Sequence, residues 1–110
     1  MESQNNRLNQ LLSFLEGSPK DPFIRFAIAK EYENLNRQEE AINYYQLLVN
    51  ESPEYVGTYY HFGKILQKKG DEDAALKIFD QGLKVAKDQG DQHAYNELAG
   101  ARLEIDDFDE

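Results

Sequence analysis

Cysteine and tryptophan are absent from this chain, and methionine occurs once. Without thiols there is no disulfide, no thiolate zinc site and no cysteine nucleophile, so a metal could be held only by histidine and carboxylate. No apolar run approaches the roughly 20 residues needed to span a bilayer. Residues 1–10 carry Glu2, Arg7 and several amides where a secretory leader would need a basic start and an apolar run. A soluble cytoplasmic protein is expected. The glycines are scattered singly, so no phosphate-cradling loop of the G-x-G-x-x-G or G-x-x-x-x-G-K kind is present. No segment combines strict apolar alternation, β-branched enrichment and a hairpin turn, which leaves no strand to predict.

Basic residues are also scarce. The net charge is -9, and it is unevenly placed: residues 1–70 hold 9 acidic and 8 basic side chains, residues 71–110 hold 12 and 4. Binding to a phosphate backbone needs Lys and Arg to displace counterions, so nucleic acid is excluded as an expected partner. At 110 residues the chain can bury roughly 65% of its unfolded surface, enough for one modest core.

What is there is helical spacing. Leu8, Leu11, Leu12 and Leu15 form a first stripe, halted by Gly17 and Pro19; Ile24, Ala27, Ile28 and Tyr32 form a second, opened by Asp21-Pro22. Ala41, Ile42, Tyr45, Leu48 and Val49 make a third, and Tyr55, Tyr59, Phe62, Ile65 and Leu66 a fourth that ends at Gly70. A fifth follows Asp71 with Ala75, Leu76, Phe79, Leu83 and Ala86, and a sixth follows Gly90-Asp91 with Ala94, Tyr95, Leu98 and Ala101. The pattern predicts an all-α protein of about six helices.

The stripes repeat. A shift of 34 residues places Phe26 on Tyr60, Ile28 on Phe62, Lys30 on Lys64 and Tyr32 on Leu66; further along it places Ala41 on Ala75, Tyr45 on Phe79 and Val49 on Leu83. The same shift sets Leu11 on Tyr45, so the first helix matches the second half of a degenerate earlier unit. Tyr95-x-x-Leu98-Ala99 returns 36 residues after Tyr59-x-x-Phe62-Gly63. A period of 34 with W-x2-L-G-x2-Y, then A-x3-F, then P is the tetratricopeptide pattern, and the chain resembles that family over nearly its whole length. The match is Ile28-Ala29, Tyr32, Ala41, Tyr45 and Pro53 in one unit, and Tyr59, Phe62-Gly63, Leu66, Ala75 and Phe79 in the next; Arg25 stands where the pattern has Trp, and Lys87 replaces the closing Pro.

The resemblance implies a right-handed stack of antiparallel helix pairs, a tetratricopeptide-like solenoid. Its expected extent is a single domain over residues 1–105, with a half repeat at 3–17, full repeats at about 22–55 and 56–89, and a capping helix at 91–104. Residues 105–110 read as an acidic, disordered tail, because negative charge opposes the C-terminal end of a helix dipole. Opposite charge suggests that Phe108 and the tail acids compete for the lysines of the groove described next.

In this family the first helix of each unit lines a concave groove that holds a peptide. Carried onto this chain, the groove positions are Phe23, Phe26, Lys30 and Glu33 in the first unit, and Tyr60, Lys64 and Gln67 in the second. One helical turn separates Phe26 from Lys30 and Tyr60 from Lys64, so each pair shares a helix face, and stacking would set the pairs side by side. Such a floor suits a protein or peptide partner carrying apolar side chains and a carboxylate. The expected function is therefore a non-catalytic protein–protein interaction module, with no cofactor.

Two other readings are weaker. Truncated arrays leave apolar helix faces at their ends, which would support a self-assembling, homodimeric helical protein. A metal-dependent hydrolase would have to be built on His93 and Glu97, one turn apart, but three convergent ligands are normally required. The remaining carboxylate pairs, Glu39-Glu40 and Asp71-Glu72-Asp73, sit at predicted helix starts where the dipole favours them. No serine lies in a G-x-S-x-G context.

Overall fold

A computed structural model describes the backbone of residues 2–109 and the side chains of residues 6–105. Among the described residues there are six helices and no strand: α1 Glu2–Gly17, α2 Pro22–Asn34, α3 Gln38–Glu51, α4 Gly57–Lys69, α5 Glu72–Gln89 and α6 Gln92–Asp109. The sequence suggests a single domain over residues 1–105; the structure divides into two compact units, Met1–Ser52 and Pro53–Glu110.

In the first unit α1 packs on α2 and α2 on α3. The start of α2 is fixed by Asp21, whose carboxylate accepts hydrogen bonds from the backbone N–H of Phe23 (2.9 Å) and Ile24 (3.3 Å), with Pro22 in the first turn. Its end is turned by Asn36, held at φ 60°, a left-handed conformation that asparagine tolerates better than most residues. The Arg37 amide then donates to the Tyr32 carbonyl at 2.9 Å. Ile28, Ala29, Ala41, Tyr45 and Leu48 are fully buried between α2 and α3, and Leu8 brings α1 onto them.

Two ion pairs bind this unit's helices together. Glu31 of α2 is buried and meets the exposed Arg7 of α1 at 3.0 Å. Arg25, in the position where the repeat pattern has Trp, is itself buried and reaches Glu51 at the end of α3 at 2.8 Å, while its Nε has no hydrogen-bond partner among the described residues. A cation thus fills a site that an indole would fill with an apolar surface.

In the second unit α4, α5 and α6 pack on one another. Gly70 (φ 97°) and Gly90 (φ 69°) end α4 and α5 in left-handed conformations, and the next residues, Asp71 and Asp91, donate their amides back to Leu66 and Ala86 at 2.9 Å. Asp71 and Asp91 then cap the following helices, accepting from the Ala74 and Ala94 amides at 3.3 and 3.0 Å. The segment before α4 is tied down by Tyr59, whose hydroxyl donates to the Pro53 carbonyl, and by Gln89, which donates to that of Glu54, both at 2.6 Å.

The closing helix departs from expectation. It does not stop at residue 104 but runs to Asp109, because Ile105 extends the stripe of Ala94, Leu98 and Ala101 and is fully buried. Burying that side chain outweighs the unfavourable dipole. The side chains of residues 106–110, Phe108 included, lie outside the described residues.

Close approach of the helices depends on two glycines. A Cβ at Gly63 would fall within the Phe79 ring, and one at Gly82 would strike the Tyr59 side chain, whereas one at Gly100 would meet open space. Gly63→Ala should therefore cost about 1–3 kcal/mol through overpacking, and Gly100→Ala should stabilise by about 0.5–1 kcal/mol through helix propensity. Urea denaturation of the two variants checks both signs.

The tyrosines give a pH dependence. Burial, and then the hydrogen bond to Glu33, push the Tyr45 phenol far above its ordinary value; burial also raises Tyr44 and Tyr59. A raised folded pKa means stability that is present below the unfolded value and lost above it, so the fold should weaken as pH rises past about 10, where tyrosines of the unfolded chain ionise. Tyr45→Phe should flatten this loss; an unchanged alkaline slope in urea midpoints between pH 8 and pH 11 would contradict the assignment.

Candidate functional site

The seven candidate residues fall on the leading helices of the two repeats, four on α2 and three on α4. On α2, Phe23 is 67% exposed and stands in the first turn, beside the Asp21 cap. Phe26 and Lys30 follow at half-buried positions. The Phe26 ring lies against Tyr45 of α3, with centroids 6.2 Å apart and planes at 56°. Glu33 is less available than its position suggests, because its carboxylate accepts a short hydrogen bond from the Tyr45 hydroxyl. Tyr45 thereby holds Phe26 and Glu33 on one side of the α2–α3 pair, and it is fully buried itself.

On α4, Tyr60, Lys64 and Gln67 are all half-buried and one turn apart along a single face. The Tyr60 ring meets His61 edge-on, centroids 5.5 Å apart. The Lys64 ammonium lies 3.4 Å from the Glu104 carboxylate of α6, with side chains 39% and 61% exposed, a solvent-screened pair worth little to stability. Gln67 directs an enclosed Oε1 that has no hydrogen-bond partner among the described residues. This face combines an aromatic ring, a cation loosely held by an acid, and an unsatisfied amide acceptor.

The structure adds residues that the sequence reading passed over. Glu104 closes the expected capping helix, and the 36-residue shift places it on Lys68, one helical turn beyond Lys64. Tyr45 reads as core and is core, but its hydroxyl also organises Glu33. Arg102 of α6 reaches Asp80 of α5 at 2.5 Å, a contact that no motif signals.

The metal alternative gains no geometry. His61 is packed against Tyr60, and His93 and Glu97 are exposed. Among the described residues no three His, Asp or Glu side chains converge as a bound ion would require. The recess at the α5–α6 turn, about 220 Å³, is lined by Ala86, Lys87, Gly90, Asp91, Gln92 and Tyr95, none of them a candidate residue.

Comparison with known proteins places this geometry. A model of the tetratricopeptide repeat matches residues 24–55 and 56–89. A TPR repeat-containing protein of Pseudomonas aeruginosa is 32% identical over 75 residues, covering 68% of this chain and 71% of that protein. The crystal structure of a tetratricopeptide repeat domain protein from Salinibacter ruber superposes with a TM-score of 0.75 at 37% identity, over 78% of this chain and 96% of that one. A Bordetella parapertussis protein solved in solution shares the fold at 24% identity, with a TM-score of 0.79 over 93% of this chain and 89% of that one. With two matched repeats, leading helices that carry half-exposed aromatic and basic side chains, and small residues where the helices touch, the chain belongs to the tetratricopeptide repeat family.

Proposed function

We propose that this chain is a protein-interaction module, and that each of its leading helices, α2 and α4, offers a surface suited to a protein or peptide carrying apolar side chains and a carboxylate. The observation that supports this most is the repeated pairing of an aromatic with a lysine one turn later: Phe26 with Lys30 on α2, Tyr60 with Lys64 on α4. Each of these four side chains is half-buried, so part of it remains open to a partner. On α2 the exposed Phe23 extends the apolar part of the patch.

Within this reading Glu33 has a different part from the other six. Its bond to the Tyr45 hydroxyl fixes α3 against α2 and so steadies the ring of Phe26, making Glu33 a positioning residue. Recognition is by contact and charge, and no bond is made or broken.

Selection of random peptides against the folded protein should enrich sequences that combine an aromatic or aliphatic side chain with Asp, Glu or a free C-terminus. The Lys30→Glu, Lys64→Glu double variant, checked for folding by circular dichroism, should then lose about tenfold in affinity at low salt, equivalent to ~1.4 kcal/mol. Peptides that bind the double variant equally well would overturn the assignment of these lysines.

A further inference from the structure

In the second unit the segment before α4 is held against the last turns of α5. The Gln89 side chain donates to the Glu54 carbonyl and the Tyr59 hydroxyl to the Pro53 carbonyl, both at 2.6 Å. Where the two meet lies an open recess of about 310 Å³, lined by Pro53, Glu54, Val85, Asp88 and Gln89. Its wall is mainly apolar, with Val85 half-buried and Pro53 exposed.

The charges around this apolar wall favour a cation. The two ionisable residues of the lining, Glu54 and Asp88, are both acids and both exposed. Asp88 meets Lys84 at 3.4 Å with the two side chains 66% and 79% exposed, a screened pair that a better-placed cation displaces at little cost. α5 ends at Gln89, so the negative end of its dipole falls in the same turn as Asp88. Residues 53–110 together hold 13 acidic and 7 basic side chains, and their field draws positive charge from solution.

Repeat packing does not account for these residues. Of the five, only Pro53 belongs to the tetratricopeptide pattern. The 34-residue shift sets Lys20 on Glu54 and Glu51 on Val85, so the preceding repeat has neither that acid nor that apolar residue. The combination is particular to the second unit.

We propose that this recess receives an arginine side chain of a protein partner. A guanidinium is flat, weakly hydrated and carries donors only, so its faces can rest on Pro53 and Val85 while its N–H groups reach the carboxylates of Glu54 and Asp88. A lysine ammonium, compact and strongly hydrated, gains less from an apolar wall. The recess shares no residue with the aromatic and lysine pairs of α2 and α4, and it selects the opposite charge, so it stands whether or not those pairs bind a carboxylate.

The test is a magnetic-resonance titration of the isotope-labelled 110-residue protein at low salt with acetyl-Ala-Arg-Ala-amide, and with the same peptide carrying citrulline or lysine in place of arginine. Citrulline keeps the shape of arginine and removes its charge. The backbone amides of Glu54, Val85, Asp88 and Gln89 should shift together and saturate in the millimolar range with the arginine peptide, shift less with lysine and stay in place with citrulline. The Glu54→Gln, Asp88→Asn double variant should bind the arginine peptide about tenfold more weakly, since two charge-assisted hydrogen bonds are lost. The Glu72→Gln, Asp73→Asn variant removes the same charge from the start of α5 and should leave binding nearly unchanged. All four acids are exposed, and circular dichroism checks that both variants fold. Equal weakening by the two variants would mean attraction to overall charge and overturns the proposal. So does a citrulline or lysine peptide that binds as tightly as arginine. Should a variant fail to fold, the wild-type titration decides alone: shifts centred on other acids, or none at these four amides, sink the assignment.

Discussion

The interlock of a small residue on one helix with a ring on its neighbour is the constraint from which the rest of the structure follows. Gly63 under Phe79 and Gly82 against Tyr59 bring α4 and α5 close enough to exclude water, and Ala29 and Ala41 play the small-residue part between α2 and α3. Once two helices approach this closely, their remaining buried positions are determined by geometry, and small connecting turns become obligatory. Asn36, Gly70 and Gly90 supply the left-handed residues that those turns need. The leading helices carry their aromatic and basic side chains, Phe26, Lys30, Tyr60 and Lys64, at half-buried positions beside this fully buried core.

Most of this architecture could be read from the sequence because helical spacing and a 34-residue period are properties of the chain alone. The six stripes correspond to six helices, and Asp21, Gly70, Asp71 and Gly90 mark their ends as the capping preferences suggest. α6 continues past the expected residue 104 for a specific reason. The acids of the tail argue against a helix terminus locally, but Ile105 belongs to a tertiary stripe, and its burial takes precedence over the dipole.

The candidate residues were less legible. Period and family resemblance identify the face on which Phe26, Lys30, Tyr60 and Lys64 stand, since that depends on backbone register. They cannot show what each side chain touches. That Glu33 turns to the Tyr45 hydroxyl, or that Glu104 approaches Lys64 from 40 residues away, depends on pairings between helices that no local pattern encodes. The same applies to Arg25, whose cation occupies an indole position only because Glu51 ends α3 within reach.

The pair formed by Arg7 and Glu31 has a consequence for how this sequence can change over time. Its two members are unequally placed, the arginine 70% exposed and the carboxylate 5% exposed at the side chain. Loss of Arg7 leaves the buried Glu31 carboxylate without its cation, which is destabilising. Loss of Glu31 to a residue of similar size leaves only a solvated arginine on the surface. Neutral drift is therefore directional at this site: Glu31 is free to be replaced first and Arg7 afterwards, while the reverse order passes through a destabilised intermediate. Lineages descended from this protein should hold Arg7 for as long as they hold Glu31.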